Sequence, residues 1–209
     1  MPLSARWLLV VALLAGAGHA RAQAEQYRLD PVHTRVLFFI DHAGLSRAIG
    51  SFSGVQGSLR FDPDDWSTAA LDVTLPLSTL DIGDQRWRDK VLEGSFLDAG
   101  KQPLARFVSS RVEPGADGTA RVIGQLSLRG VSREVTLDVR LNALKRHPLT
   151  FRHTAGFSAS ARLSRRDFGI TAWPNVIGDE VELLIEAEVI RGRAETSPTP
   201  TEPRDADQE

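Results

Sequence analysis

The 209-residue chain contains no cysteine. That excludes disulfide staples, thiolate metal sites and a lipid-modified N-terminal cysteine. Stability has to come from an ordinary hydrophobic core. Charge of one sign is also missing: the formal net charge is −2. So weak a balance gives no electrostatic case for nucleic acid. No G-x-S-x-G elbow, G-x-G-x-x-G loop, Walker motif or H-E-x-x-H helix occurs, so the sequence carries none of these catalytic or nucleotide-binding signatures. Long apolar runs are absent except near the start.

That one run is Trp7 to Ala17, following Arg6 and preceding the small-x-small sites that end at Ala22 and Ala24. It is shorter than the roughly 20 residues needed to span a bilayer. The pattern predicts a secretory signal peptide over residues 1–22, with cleavage alternatively after Ala24, and therefore a periplasmic protein. No stable membrane insertion is expected once it is removed. At the other end, residues 192–209 are rich in Pro, Thr and acid, with no aliphatic side chain larger than Ala. Such a tail buries too little to offset ordering entropy and is expected to be disordered. Residues 25–191 remain as one domain.

Within that domain the pattern is alternation. Val36, Phe38, Ile40 and His42 share one face of a strand, opposite Arg35, Leu37, Phe39 and Asp41. A Gly-containing bend follows, and another strand starts near Gly50. Further alternating runs cover residues 54–61, 71–77, 104–112, 122–129, 135–141, 157–163 and 181–189. Short links favour antiparallel pairing. Asp62-Pro63-Asp64-Asp65 and Pro114-Gly115-Ala116-Asp117-Gly118 are turns by their chemistry. One short helix is expected over QRWRDKVL, capped by Asp84 or Asp81, with Trp87 and Val91 on one face. The expected fold class is all-β: about eight antiparallel strands with one short helix, at a spacing typical of a barrel or sandwich, the long strands favouring a β-barrel. A barrel of about that size is filled by side chains or holds one small ligand. Small inward residues, among them Gly57, Gly124, Ala159 and Ala161, leave space or let another element approach. The pattern alone leaves both readings open.

The histidines His33 and His42 raise a metal reading. They are an odd number of positions apart, so on one continuous strand they face opposite sides. No metal site is expected, with His33 in a turn and His42 hydrogen-bonded at a strand end. Arg88, Arg165 and Arg166 stand in Arg–Asp clusters. They are candidates for an anionic head group, or else they hold loops through ion pairs. Phe96, Trp87 and Trp173 read as packing residues, with Trp173 suited to rim an opening.

Several segments, in order, resemble the YceI-like family of periplasmic polyisoprenoid-binding proteins. They are Tyr27-Arg28-Leu29-Asp30, His33-Thr34-x-Val36-x-Phe38-x-Ile40-x-His42-x-Gly44 and Gly50-Ser51-Phe52. Then come Arg88-Asp89, Ser95-Phe96-Leu97-Asp98, Gly124 through Val131, Ser164 through Ile170 and Gly178-Asp179-Glu180-Val181. The resemblance implies a lipocalin-like extended barrel with an elongated apolar tunnel. It implies a long-chain isoprenoid lipid or quinone as the bound partner, no other cofactor and no catalysed reaction. It allows a homodimer. Two departures stand out: Val91 where the family usually has histidine, and Phe96-Leu97 where two aromatics are usual.

On this reading the ligand-binding wall comprises Val36, Phe38, Ile40 and His42, with Phe61, Leu126, Phe157, Ala159, Ala161, Leu183 and Ile185 from other strands. The alternatives are a structural or stress-protective barrel with a filled core, and a histidine-dependent metal enzyme.

Overall fold

The computed structural model describes residues 24–192. The expected signal peptide and all but the first residue of the expected tail lie outside the described residues. Ten strands form one antiparallel sheet. They are β1 (Glu25–Leu29), β2 (Arg35–His42), β3 (Ser46–Phe52), β4 (Gln56–Phe61), β5 (Ala70–Pro76), β6 (Leu104–Pro114), β7 (Thr119–Leu128), β8 (Val131–Arg146), β9 (His153–Ser164) and β10 (Ile177–Arg191). The helix α1 spans Gln85–Leu92. Its N-cap is Asp84, whose carboxylate accepts the Trp87 N–H at 2.9 Å. That satisfies a donor the first turn would otherwise leave open.

The sheet order is β1-β4-β5-β6-β7-β8-β9-β10-β2-β3, and β1 also pairs with β10. That last pairing closes a ring of eight strands, with the β2–β3 hairpin outside it. The barrel class read from alternation is therefore the observed one. The long strand β10 makes this possible. Its far end, Val189–Arg191, pairs with β1, and Val181–Glu186 pairs with β2. β1 and β2 thus follow the same edge of β10, separated by a jog at residues 30–34. Pro31 has no N–H to give the ladder, and its fixed φ favours leaving it. Asp30 makes the last bond before the jog, N–H to Glu188 O at 2.8 Å.

After the jog, β2 leads outward with β3 as its hairpin partner. β3 returns to the barrel through a two-way backbone contact between Ser51 and Asp81, at 2.8 and 2.9 Å. α1 follows directly.

The interior divides lengthwise. One end is filled by Tyr27, Phe61, Trp66 and Phe157. The Phe61 ring lies 6.3 Å from Tyr27, 5.1 Å from Trp66 and 5.7 Å from Phe157, all edge to face. Phe61 is only 2% exposed. Such burial is worth roughly 1.5–3 kcal/mol per side chain. The small residues resolve as close approaches. A Cβ on Gly57 would lie 2.1 Å from Asp72 O, and one on Gly124 would lie 2.4 Å from Val108 O. At those positions neighbouring strands touch where a side chain would stand, and no space is left over. Among the described residues no helix is long and apolar enough to cross a membrane.

Candidate functional site

At the other end of the interior is a cavity of about 280 Å³. β2 supplies Val36, Phe38, Ile40 and His42 to its wall, as their shared face requires. β7 adds Leu126, and β10 adds Leu183. α1 lies across this end and turns Trp87, Lys90 and Val91 into the cavity, residues three and four apart on one helical face. Among the described residues, only three lining side chains are ionisable: His42, Lys90 and Arg165. All the others are hydrocarbon or aromatic.

The cavity meets solvent between α1 and the loop carrying Trp173. Trp87 and Trp173 line it and are 48% and 52% exposed. The His42 ring lies 5.4 Å from that of Trp87, and Lys90 Nζ is 5.9 Å from the Trp173 ring centre. Lys90 Nζ also donates to Glu93 at 2.7 Å. Trp173 packs edge to face on Phe96 at 5.5 Å. The rim therefore joins apolar rings to two polar groups, a geometry suited to an amphiphile with its tail inside.

Six of the residues expected on the wall line the cavity: Val36, Phe38, Ile40, His42, Leu126 and Leu183. Phe61, Phe157, Ala159, Ala161 and Ile185 do not. Phe61 and Phe157 belong to the aromatic fill at the other end. Ala161 is packed beside Phe107, Val135 and Phe168 in the main core. Alternation assigns a face and nothing more: Phe61 and Phe157 lie deeper, in the aromatic fill, whereas Ala161 is level with Leu183, and Ile185 with Val36, without reaching the cavity. Lys90 was missed as a lining residue, although its place one turn from Trp87 was a usable signal. Val91 puts an isopropyl group on the wall.

The arginine candidates are tied to the protein itself. Arg165 is 4% exposed. Its guanidinium donates to the carbonyls of Gly178, Ile170, Ala172 and Ile177 at 2.7 to 3.0 Å. Burial pushes its pKa down, and these carbonyls occupy most of its donors. Arg88 donates to Leu80 O and Ser78 O at 3.0 and 2.7 Å, which fastens α1 to the preceding turn. Arg166 pairs with Asp179 at 3.7 Å and lies off the cavity. Of the three, only Arg165 reaches the wall.

His33 and His42 are not brought together. They flank opposite ends of β2, more than about 20 Å apart at strand rise. His33 is held instead by Asp30, at 2.9 Å through Nδ1. Among the described residues, Asp30, His33 and Glu188 are the one group of three or more whose potential metal-ligand atoms lie within 4.8 Å of one another. Asp30 already accepts the Val32 N–H at 2.9 Å, as a turn anchor.

Comparison with known proteins agrees with this geometry. The chain is 35% identical to a UPF0312 protein of Serratia proteamaculans over 87% of this chain and 94% of that one. It is 36% identical to a UPF0312 protein of Pseudomonas paraeruginosa over 82% of this chain and 90% of that one. The fold superposes on Burkholderia cenocepacia BcnA with a TM-score of 0.70 at 22% identity, covering 77% of this chain and 98% of that chain. A polyisoprenoid-binding domain from Saccharophagus degradans superposes with a TM-score of 0.61 at 13% identity, over 79% of this chain and 98% of that one. The YceI-like domain model matches residues 27–189, and the chain belongs to the YceI-like family.

Proposed function

We propose that this protein holds an isoprenoid lipid or isoprenoid-quinone-like amphiphile in its barrel, for transport, storage or sequestration, and catalyses no reaction. The observation that carries this is the cavity wall, apolar except for His42, Lys90 and Arg165. Burying an isoprenoid there gains about 25 cal/mol per Å² of apolar area, with no directional chemistry required. The family fold of a polyisoprenoid-binding domain from another organism supports the same reading. The cavity of about 280 Å³ is small beside the ~300–1,000 Å³ common for ligand sites. That size favours a short isoprenoid or the leading end of a longer one, with the polar end at the Trp87–Trp173 rim. The leader expected over residues 1–22 from the sequence supports a periplasmic setting.

The test is to express the chain with its own leader, purify it without detergent and extract it for lipid mass spectrometry. A near-stoichiometric isoprenoid is the expected result. Lipid-free protein that also takes up neither ubiquinone nor polyprenyl phosphate would overturn the proposal and leave a structural barrel.

A further inference from the structure

The hairpin that joins β8 to β9 stands at the end of the barrel opposite the cavity rim. Arg146 pairs with His153 there, while at the other end of β9 Ser164 pairs with Glu180. Its sequence is Lys145-Arg146-His147-Pro148-Leu149-Thr150-Phe151-Arg152-His153, three cations and two histidines with no carboxylate. Among the described residues, Lys145, Arg146 and Arg152 form no ion pair, although other exposed arginines do. Arg106 pairs with Asp72, and Arg47 with Glu182, both at 2.6 Å.

Between these cations two large apolar side chains project into solvent. Leu149 is 82% exposed and Phe151 is 70% exposed. They are not there through looseness of the turn. His147 N–H donates to Arg152 O, and Phe151 N–H to His147 O, each at 2.8 Å. His147 Nδ1 accepts from the Leu149 and Thr150 N–H groups at 3.2 and 3.3 Å. Phe151 is held at φ +57°, a left-handed conformation that bulky residues seldom adopt. The tip is a built element that displays Leu149 and Phe151 between Arg146 and Arg152, with Lys145 at its base beside a pocket that Glu186 and Glu188 also line.

We propose that this tip docks on an anionic phospholipid surface. Leu149 and Phe151 would enter the acyl boundary, and Lys145, Arg146 and Arg152 would meet phosphate groups. Each part of the tip matches one layer of that partner: hydrocarbon below, anions above. A soluble polyanion would use the cations and leave Leu149 and Phe151 in water. Two apolar side chains and a few cations give peripheral, reversible attachment, distinct from insertion of a span. The inference is independent of what the cavity holds. Tip-first docking points the cavity rim away from the bilayer.

The experiment is vesicle co-sedimentation of a chain beginning at Ala24, which contains the whole described barrel. Vesicles of equal phosphatidylglycerol and phosphatidylcholine are compared with phosphatidylcholine alone. Wild type is compared with Leu149→Ser/Phe151→Ser and with Arg146→Glu/Arg152→Glu, all checked for matching thermal unfolding. Wild type is expected to favour the anionic vesicles by about tenfold or more, and to be released by salt at about 0.5 M. Each double variant is expected to lose about tenfold in partitioning. Absence of any preference for anionic vesicles would overturn the proposal. So would unchanged partitioning of the Leu149→Ser/Phe151→Ser variant, and so would binding to soluble heparin that matches vesicle binding and survives that substitution.

Discussion

The Phe38 ring lies across the α-carbon of Gly50, so close that a methyl group on Gly50 would stand 2.4 Å from two of its ring carbons. The two residues are direct partners between β2 and β3. Phe38 also sits 5.8 Å from Phe52, and both rings line the cavity. The glycine therefore sets how far back the ring can lie.

Gly50→Ala is expected to push the Phe38 ring toward the open cavity, because that is where free volume exists. Overpacking of this kind costs about 1–3 kcal/mol, and the low end applies where a ring has room to swing. The variant should fold, lose a few degrees of thermal stability and bind isoprenoid more weakly than wild type. Paired thermal unfolding and ubiquinone titration check this. Unchanged binding would show that Phe38 does not set the width of the site.

The aromatic fill packs behind Val36 and Leu75 of the cavity wall. Phe157 meets Phe61 at 5.7 Å and Trp66 at 6.5 Å. Phe157→Ala should join new space to the cavity and shift the retained lipid toward longer chains. Full burial would put the cost at about 3–5 kcal/mol. Phe157 is half-buried, so a smaller loss is expected. Chain lengths extracted from the two proteins, read by mass spectrometry, give the answer. Identical length profiles would mean the fill is not the floor of the site.

Tyr27 is the sole tyrosine, so an ultraviolet titration reads it alone. Burial, and then the hydrogen bond to Glu25 at 3.1 Å, push its pKa up to about 12, against the pull of Arg191. The neutral phenol is the form the fold favours. Its contribution is complete below the ordinary tyrosine value near 10 and is lost as pH rises toward about 12. Glu25→Gln should bring the midpoint down. A midpoint near 10 in folded wild-type protein would contradict the buried placement.

Local signals were legible in the sequence and long-range ones were not. The α1 span and its Asp84 cap are readable because helix starts are encoded within four residues. The β2 face is readable because strand side chains alternate. The depth of Phe61 and Phe157 is not, since periodicity is blind to position along the barrel axis. Arg165 looked available for an anion. Its partners are carbonyls at residues 170–178, and only the folded loop brings them to it. The closeness behind Gly57 and Gly124 likewise depends on which strand lies alongside.

The seam between β1 and β10 sets a condition on the order of assembly. It places Tyr27 opposite Arg191, nearly the whole described chain apart. Contacts of such sequence separation form late, because a large loop must close before they repay it. During synthesis the ring has no closing partner until the last strand emerges. Any nascent fragment that stops before Ile177 leaves β1, β2 and β9 without their β10 partner. Unpaired edges of that kind seed intermolecular pairing. The closing strand thus decides when those edges are covered.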